Sequence, residues 1–270
     1  MLTANGKQIS TDEKFDSDAA DVRLTNYVFV RLVAKRRTFT NVDFKYSFFD
    51  TCYLRECTFD SCDFTGSRFV NSNLHGSKFS GCKFEYSYFE KTHIDPLVLD
   101  TECPGLENLK SRFARTLRMN FQQLGDAGAV NKAMKVEMNA TALHLRKAAW
   151  SNESYYRRHY RGWGRARAFG EWLKFWALDF IWGNGENLFR LVVFVLIVLS
   201  AMAAGDLFLF QPAPITLNSF RVAWAKALEI FFGTISPPNY WPGYLAFVTF
   251  LRLIIVALFL SIIIRKVSRR

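Results

Sequence analysis

Histidine is scarce in this chain. There are four, His75, His93, His144 and His159, and they are scattered. Gly-rich phosphate loops, nucleophile elbows and metal-ligand helices are also missing. These absences argue against an enzyme, a resident cofactor and a metal centre. A cleavable signal peptide is lacking too, because Met1–Val22 is polar and acidic, so the N-terminal part is expected in the cytosol. Acidic residues nearly vanish toward the C-terminus. Residues 188–270 hold two Asp/Glu against eight Lys/Arg, residues 101–187 hold 8 against 14, and residues 1–100 hold 14 against 13. The +11 net charge therefore sits beside the most apolar part of the chain. Nucleic-acid binding needs a basic face on a folded soluble domain, and the region with the clearest pattern is neutral, so no nucleic-acid partner is expected.

Two apolar stretches, Leu191–Phe210 and Tyr244–Ile264, reach membrane length. Between them Asn218–Phe232 is too short to span but apolar enough to dip into a bilayer. Arg157, Arg158, Arg161, Arg165, Arg167, Lys174 and Arg190 precede the first stretch, and Arg265, Lys266, Arg269 and Arg270 follow the second. The connecting loop has only Arg221 and Lys226. Both termini are thus expected in the cytoplasm of a bacterial inner membrane protein, with 211–243 outside or re-entrant.

From Leu24 a large apolar residue recurs every fifth position through Phe29, Phe39, Phe44, Phe49, Leu54, Phe59, Phe64, Phe69, Leu74, Phe79, Phe84, Phe89 and Ile94 to Leu99, with Ala34 the small exception. Two positions before many centres the residue is small: Ser47, Cys52, Cys57, Cys62, Ser67, Ser72, Ser77, Cys82, Ser87, Thr92. A period of five fits neither a helix nor an ordinary strand, but it fits a solenoid whose units bury their cores against one another. The spacing of Cys52, Cys57 and Cys62 is not that of zinc ligands, which points to interior packing. Over residues 22–100 the pattern resembles the pentapeptide-repeat family. That resemblance implies a right-handed quadrilateral β-helix of about four coils, four pentapeptides to a coil. Cys62 and Cys82 would then stack as thiols in a reducing cytosol. Some soluble members of that family act as DNA mimics, a role that depends on an acidic rod and not on a neutral one. The run Lys35-Arg36-Arg37 breaks the pattern, so an irregular first coil is expected.

Pro104 and Gly105 close the repeat. Leu106, Leu109, Phe113, Leu117, Phe121 and Leu124 follow at helical spacing, then a turn at Gly125–Gly128, then a second helix to Trp150. The pair reads as a hairpin capping the solenoid, and "FQQLGDAGAVNKAMKVEM" looks like a tetratricopeptide-style unit. Phe169, Trp172, Trp176 and Phe180 recur along one helical face, with Arg157, Arg158 and Arg161 upstream. This segment is expected to lie at the lipid interface. The organisation is thus a tail (1–21), a β-helix (22–103), a helical hairpin (104–150), an interfacial linker (151–187) and a membrane domain (188–270).

Span, short helix, turn and span, over 188–268, resemble the two-transmembrane ion-channel family. Asn218 or Ser219 would cap the short helix. The filter position falls on Thr234, Ile235, Ser236, Pro237 and Pro238, and Leu245–Arg265 would line the pore. The two prolines cannot supply the flipped carbonyls that glycine allows, which counts against potassium selectivity. Asp206, Glu229 and Arg252 fall at membrane depth and need partners or water, either as an Asp206–Arg252 or Glu229–Arg252 pair or as pore-lining charge. A ring of Arg252 would favour anions and a ring of Glu229 cations. The expected partners are membrane lipids, other copies of the chain (four, by the family resemblance) and a protein held on the solenoid. The expected function is an oligomeric pore, with ion homeostasis or antiviral membrane disruption as its use; the alternative is a membrane-anchored scaffold that conducts nothing.

Overall fold

The computed structural model describes residues 8–185, 187–210 and 216–268. It divides into two units, Met1–Phe169 and Gly170–Arg270. In the first unit the strands are β1 (Gln8–Thr11), β2 (Ala19–Ala20), β3 (Tyr27–Val30), β4 (Val33–Lys35), β5 (Thr38–Thr40), β6 (Phe48–Asp50), β7 (Tyr53–Arg55), β8 (Thr58–Asp60), β9 (Arg68–Val70), β10 (Lys78–Ser80) and β11 (Tyr88–Glu90). They stack in parallel as three sheets, in the orders β1-β3-β6-β9-β11, β2-β5-β8-β10 and β4-β7. A fourth face is built from isolated bridges that run Arg23, Asp43, Asp63, Lys83. This is a four-sided β-solenoid.

The register explains the period. Val28 pairs with Phe48 and Phe48 with Arg68, so one coil is twenty residues and every fifth residue returns to an equivalent corner. Adjacent strands lie about 4.8 Å apart, which is also a comfortable ring-stacking distance. Phe44, Phe64 and Phe84 therefore form a column with centroids 5.1 Å apart and rings within 9° of parallel. Phe29, Phe49, Phe69 and Phe89 form a second column, and Phe39, Phe59 and Phe79 a third. Ala34, Leu54, Leu74 and Ile94 fill the fourth, all buried. The small residues occupy the interior corners and bond the backbone there. Ser72 Oγ accepts from the Cys52 amide at 3.0 Å and donates to the Val70 carbonyl at 2.9 Å. Cys52, Cys57, Cys62 and Cys82 are buried free thiols.

The corners carry a feature the period did not announce. Asn26, Arg31, Arg36, Asn41, Tyr46, Thr51, Glu56 and Ser61 all hold φ between 52 and 65°, although none is glycine. Left-handed backbone costs a non-glycine residue about 1–2 kcal/mol. Here ladder bonds offset it; the Arg31 amide, for instance, donates to the Asp50 carbonyl at 2.9 Å.

Two expectations about the start of the solenoid are corrected. Residues 8–20 are not a tail, since β1 and β2 already join the ladder. The irregular coil is also not at Lys35–Arg37, because β4 pairs in register with β7 and Ala34 is buried. The slip lies earlier. Gln8 pairs with Tyr27, nineteen residues on, whereas Ala19 pairs with Phe39, twenty on. One residue is missing between 14 and 19. Phe15 consequently takes the interior position, edge-on to Phe39 at 5.8 Å, and Ile9 turns to solvent.

At the other end, helix α1 (Val98–Thr101) replaces the next strand, and α2 (Glu107–Gln123) and α3 (Ala127–Trp150) form an antiparallel hairpin over the last coil. Phe113 continues the ring column onto Phe84 at 5.5 Å. The open ladder is closed by side chains. Asn120 accepts from the Thr92 amide at 2.7 Å and donates to the Thr92 carbonyl at 2.7 Å. Gln123 accepts from Lys91 N–H at 3.0 Å, and Glu102 from Cys82 N–H at 2.6 Å. Glu137 of α3 receives both Arg115 and Arg118 of α2 at 2.8 Å. Asp126 caps α3 through the Ala129 amide. Then come α4 (Ser154–His159) and α5 (Trp163–Trp182), the latter crossing the boundary between the units.

The second unit holds α6 (Leu188–Gly205), a π-helical turn over Asp206–Phe210, α7 (Leu217–Phe232) and α8 (Pro242–Ser268). Leu188–Phe208 and Pro242–Ile264 are long and apolar enough to cross a membrane. Only 33% and 17% of these windows are buried, so most of their apolar surface faces outward, unlike the core helices of a soluble domain.

Candidate functional site in the membrane-length helices

α7 is held at both ends. The expected cap at Asn218 or Ser219 is corrected, because the N-cap is Thr216. Its hydroxyl accepts from the Ser219 amide at 3.2 Å while Ser219 Oγ accepts from the Thr216 amide at 2.9 Å, a reciprocal capping box. The helix stops at Gly233, whose φ of 76° lets the chain turn back. Thr234 then closes the turn, its amide and its hydroxyl both donating to the Glu229 carbonyl at 2.9 Å.

Arg252 of α8 meets this end. Its guanidinium donates to the Phe231 carbonyl at 3.5 Å and packs over the bare Cα of Gly233. A cation at a helix C-terminus sits in the favourable part of the helix dipole. The expected Asp206–Arg252 and Glu229–Arg252 pairs do not form. Arg252 instead meets the Phe231 carbonyl, and Glu229 is exposed on α7.

Asp206 has other partners. It begins the π-helical turn and is buried. Its carboxylate accepts from the Tyr240 hydroxyl and pairs with Lys226 Nζ at 3.4 Å. The Lys226 ammonium also lies 4.8 Å from the Tyr240 ring centroid. Phe210, displaced by the π turn, stacks on Tyr240 at 4.4 Å and meets Tyr244 at 5.0 Å. One ionic cluster thus ties α6, α7 and the segment entering α8. Sequence reasoning missed Lys226 and Tyr240. It counted Lys226 with the connecting loop and gave Tyr240 no role, although Lys226 lies within the short-helix run; only a helical wheel would have turned it toward Asp206.

Of the filter candidates, Thr234, Ile235, Ser236 and Pro238 are exposed and Pro237 is half-buried. Trp172 and Trp176 lie on α5, with Trp176 exposed and stacked on Phe180 at 5.8 Å. Arg157 and Arg158 belong to α4, and Arg161 follows it. Arg269 and Arg270 lie outside the described residues, as do the side chains of Arg265 and Lys266. Among the described residues no group of acidic, histidine and cysteine side chains is arranged for a metal ion.

A family model described as a pentapeptide repeat region matches residues 34–102, within the solenoid. No curated protein matches the chain. The chain therefore carries a pentapeptide-repeat β-solenoid joined to a region with two long apolar helices, an architecture consistent with a membrane-spanning extension.

Proposed function

We propose that this pentapeptide-repeat chain is one protomer of a homo-oligomeric membrane pore. In this reading α6 and α8 span the bilayer, α7 dips in from the outer side, and the solenoid with its helical cap is a cytosolic head that assembles or gates the pore. The supporting observation is the meeting of Arg252 with the end of α7. Arg252 is ten residues along α8 from Pro242, about 15 Å at 1.5 Å per residue, or half the thickness of a hydrocarbon core. Lys226 and Tyr240, near the outer ends of α6 and α8, share Asp206. A helix with Lys226 near the surface and its C-terminus at mid-depth is re-entrant, and Gly233 turns the chain back toward the outer face. Glu229 then sits exposed on a protomer at membrane depth, where a charge needs water or a neighbouring copy. Two spans cannot enclose a path alone, so several copies surround one axis, four if the channel resemblance extends to assembly. With Ser-Pro-Pro after Thr234-Ile235, the pore is not selective for potassium. Membrane depolarisation in antiviral defence is one use such a pore serves.

A second reading is favoured by a specific observation. Asp206, Lys226, Tyr240 and Arg252 all find partners within one copy, as they would in a sealed hairpin that anchors a scaffold for a protein partner. Purified full-length protein in planar bilayers separates the two. Discrete conductance steps that Arg252→Met alters support the pore. Bilayers silent at every voltage, with the protein inserted, would leave the anchored scaffold.

A further inference from the structure

We propose that Arg157, Arg161 and Arg165 form a binding cleft for a phosphate group, carried either by a lipid headgroup or by a soluble phosphate. The three side chains, with Tyr160 and Gly162, line a groove of about 390 Å³ in the first unit. Each guanidinium is held by a neutral acceptor. Arg157 Nη2 donates to Asn152 Oδ1 at 2.5 Å, Arg161 Nε to the Arg157 carbonyl at 3.1 Å, and Arg165 Nε to the Ala149 carbonyl at 2.8 Å. Each therefore keeps most of its five N–H donors unspent while one bond orients it. No carboxylate lines the groove, and the adjacent Glu153 is engaged by Lys147 at 3.3 Å. Among the described residues none of the three forms an ion pair.

Three positive charges around one groove repel each other until an anion enters. Planar forks with paired N–H donors match phosphate oxygens better than an ammonium does, and holding them in advance lowers the ordering cost of binding. The Tyr160 hydroxyl, 3.2 Å from His144 Nε2, is already bonded, so its ring acts as a wall. Gly162, with φ of 51°, turns the chain between Arg161 and Arg165 so that both reach the same groove. The cleft is independent of whether the second unit conducts.

The test uses the full chain in neutral detergent micelles, titrated with dihexanoyl phosphatidic acid, dihexanoyl phosphatidylcholine and inorganic phosphate. Saturable binding of the phosphatidic acid, weakened at least tenfold by Arg161→Gln and unchanged by Arg167→Gln, is expected. Arg167 gives the same charge change on the face of α5 opposite Arg165. Inorganic phosphate binding as tightly as the lipid identifies a soluble source; a lipid tenfold tighter identifies a headgroup; both uphold the cleft. Should Arg161→Gln fail to fold, Arg157→Gln is read in its place. No saturable binding of either anion, equal binding of phosphatidylcholine, or equal loss in Arg167→Gln would overturn the proposal.

Discussion

Phe64 lies between Phe44 and Phe84, stacked at 5.1 Å on each and buried. Phe64→Ala opens a void whose walls are two rings and ladder-fixed backbone, so it cannot collapse. The expected loss is about 3–5 kcal/mol, read from urea unfolding. A change below about half a kcal/mol would mean that position 64 is not interior. Cys52 gives a second residue-level prediction. Burial, chiefly, pushes its thiol up to about 11, so thiolate is scarce at pH 8. Native protein should resist alkylation there at that pH, and unfolded protein should react at the ordinary rate; fast labelling of the folded chain is the contrary outcome. Large centres and small corners were legible because size and polarity are written in the residues themselves. The left-handed corners were not, since Arg31, Tyr46, Thr51 and Glu56 share no chemical mark. Their conformation is imposed by the coil closing on its neighbour. Likewise the partner of Asp206 depended on how α7 is rotated against α6, which depth along one helix does not specify.

Helical spacing of three and four placed α2 and α3 almost to their ends, and two long apolar runs placed α6 and α8. The π turn at Asp206–Phe210 left no comparable trace, because its register comes from Asp206 and Phe210 both reaching Tyr240. The cap on the solenoid can be tested through Asn120, fully buried and bonded to both backbone groups of Thr92. Asn120→Leu leaves that amide and carbonyl unpaired, at about 1–3 kcal/mol for each group that water cannot reach. Hydrogen exchange should quicken first at residues 88–93; uniform exchange across the solenoid would count against a local capping role. His144 ties α4 to α3, with Tyr156 Oη 3.3 Å from Nδ1 and Tyr160 Oη 3.2 Å from Nε2. Burial lowers its pKa below the ordinary 6.5. The unfolded segment thus binds a proton more readily than the folded one, and stability falls as pH drops. The contribution is complete above about pH 6.5 and is lost as pH falls through the lower folded value. Amides of 154–160 should lose protection between pH 7 and 5 after correction for intrinsic rates, and His144→Gln should flatten that dependence. A profile unchanged by the substitution would assign the acid response to another group.

At the scale of the whole chain, the outward apolar surface of α6 and α8 predicts that the protein stays with membranes through alkaline carbonate washing. Release into the wash would leave those helices without a bilayer. The charge asymmetry predicts that Asn5→Cys and Arg270→Cys are labelled only after intact cells are permeabilised, and labelling of either from outside would reverse the topology. The twenty-residue coil has a further consequence. Length in this solenoid is quantised: a whole added coil lifts the helical cap by about 4.8 Å and returns it facing the same way, while five added residues swing it by about a quarter turn. A duplication of one coil is therefore silent in direction, and an insertion of any part of a coil between 22 and 97 re-aims the helical cap. The nineteen-residue coil is the exception that fits this arithmetic. It falls in the first described coil, before the three long columns of rings are established, where a missing residue rotates only what came before it.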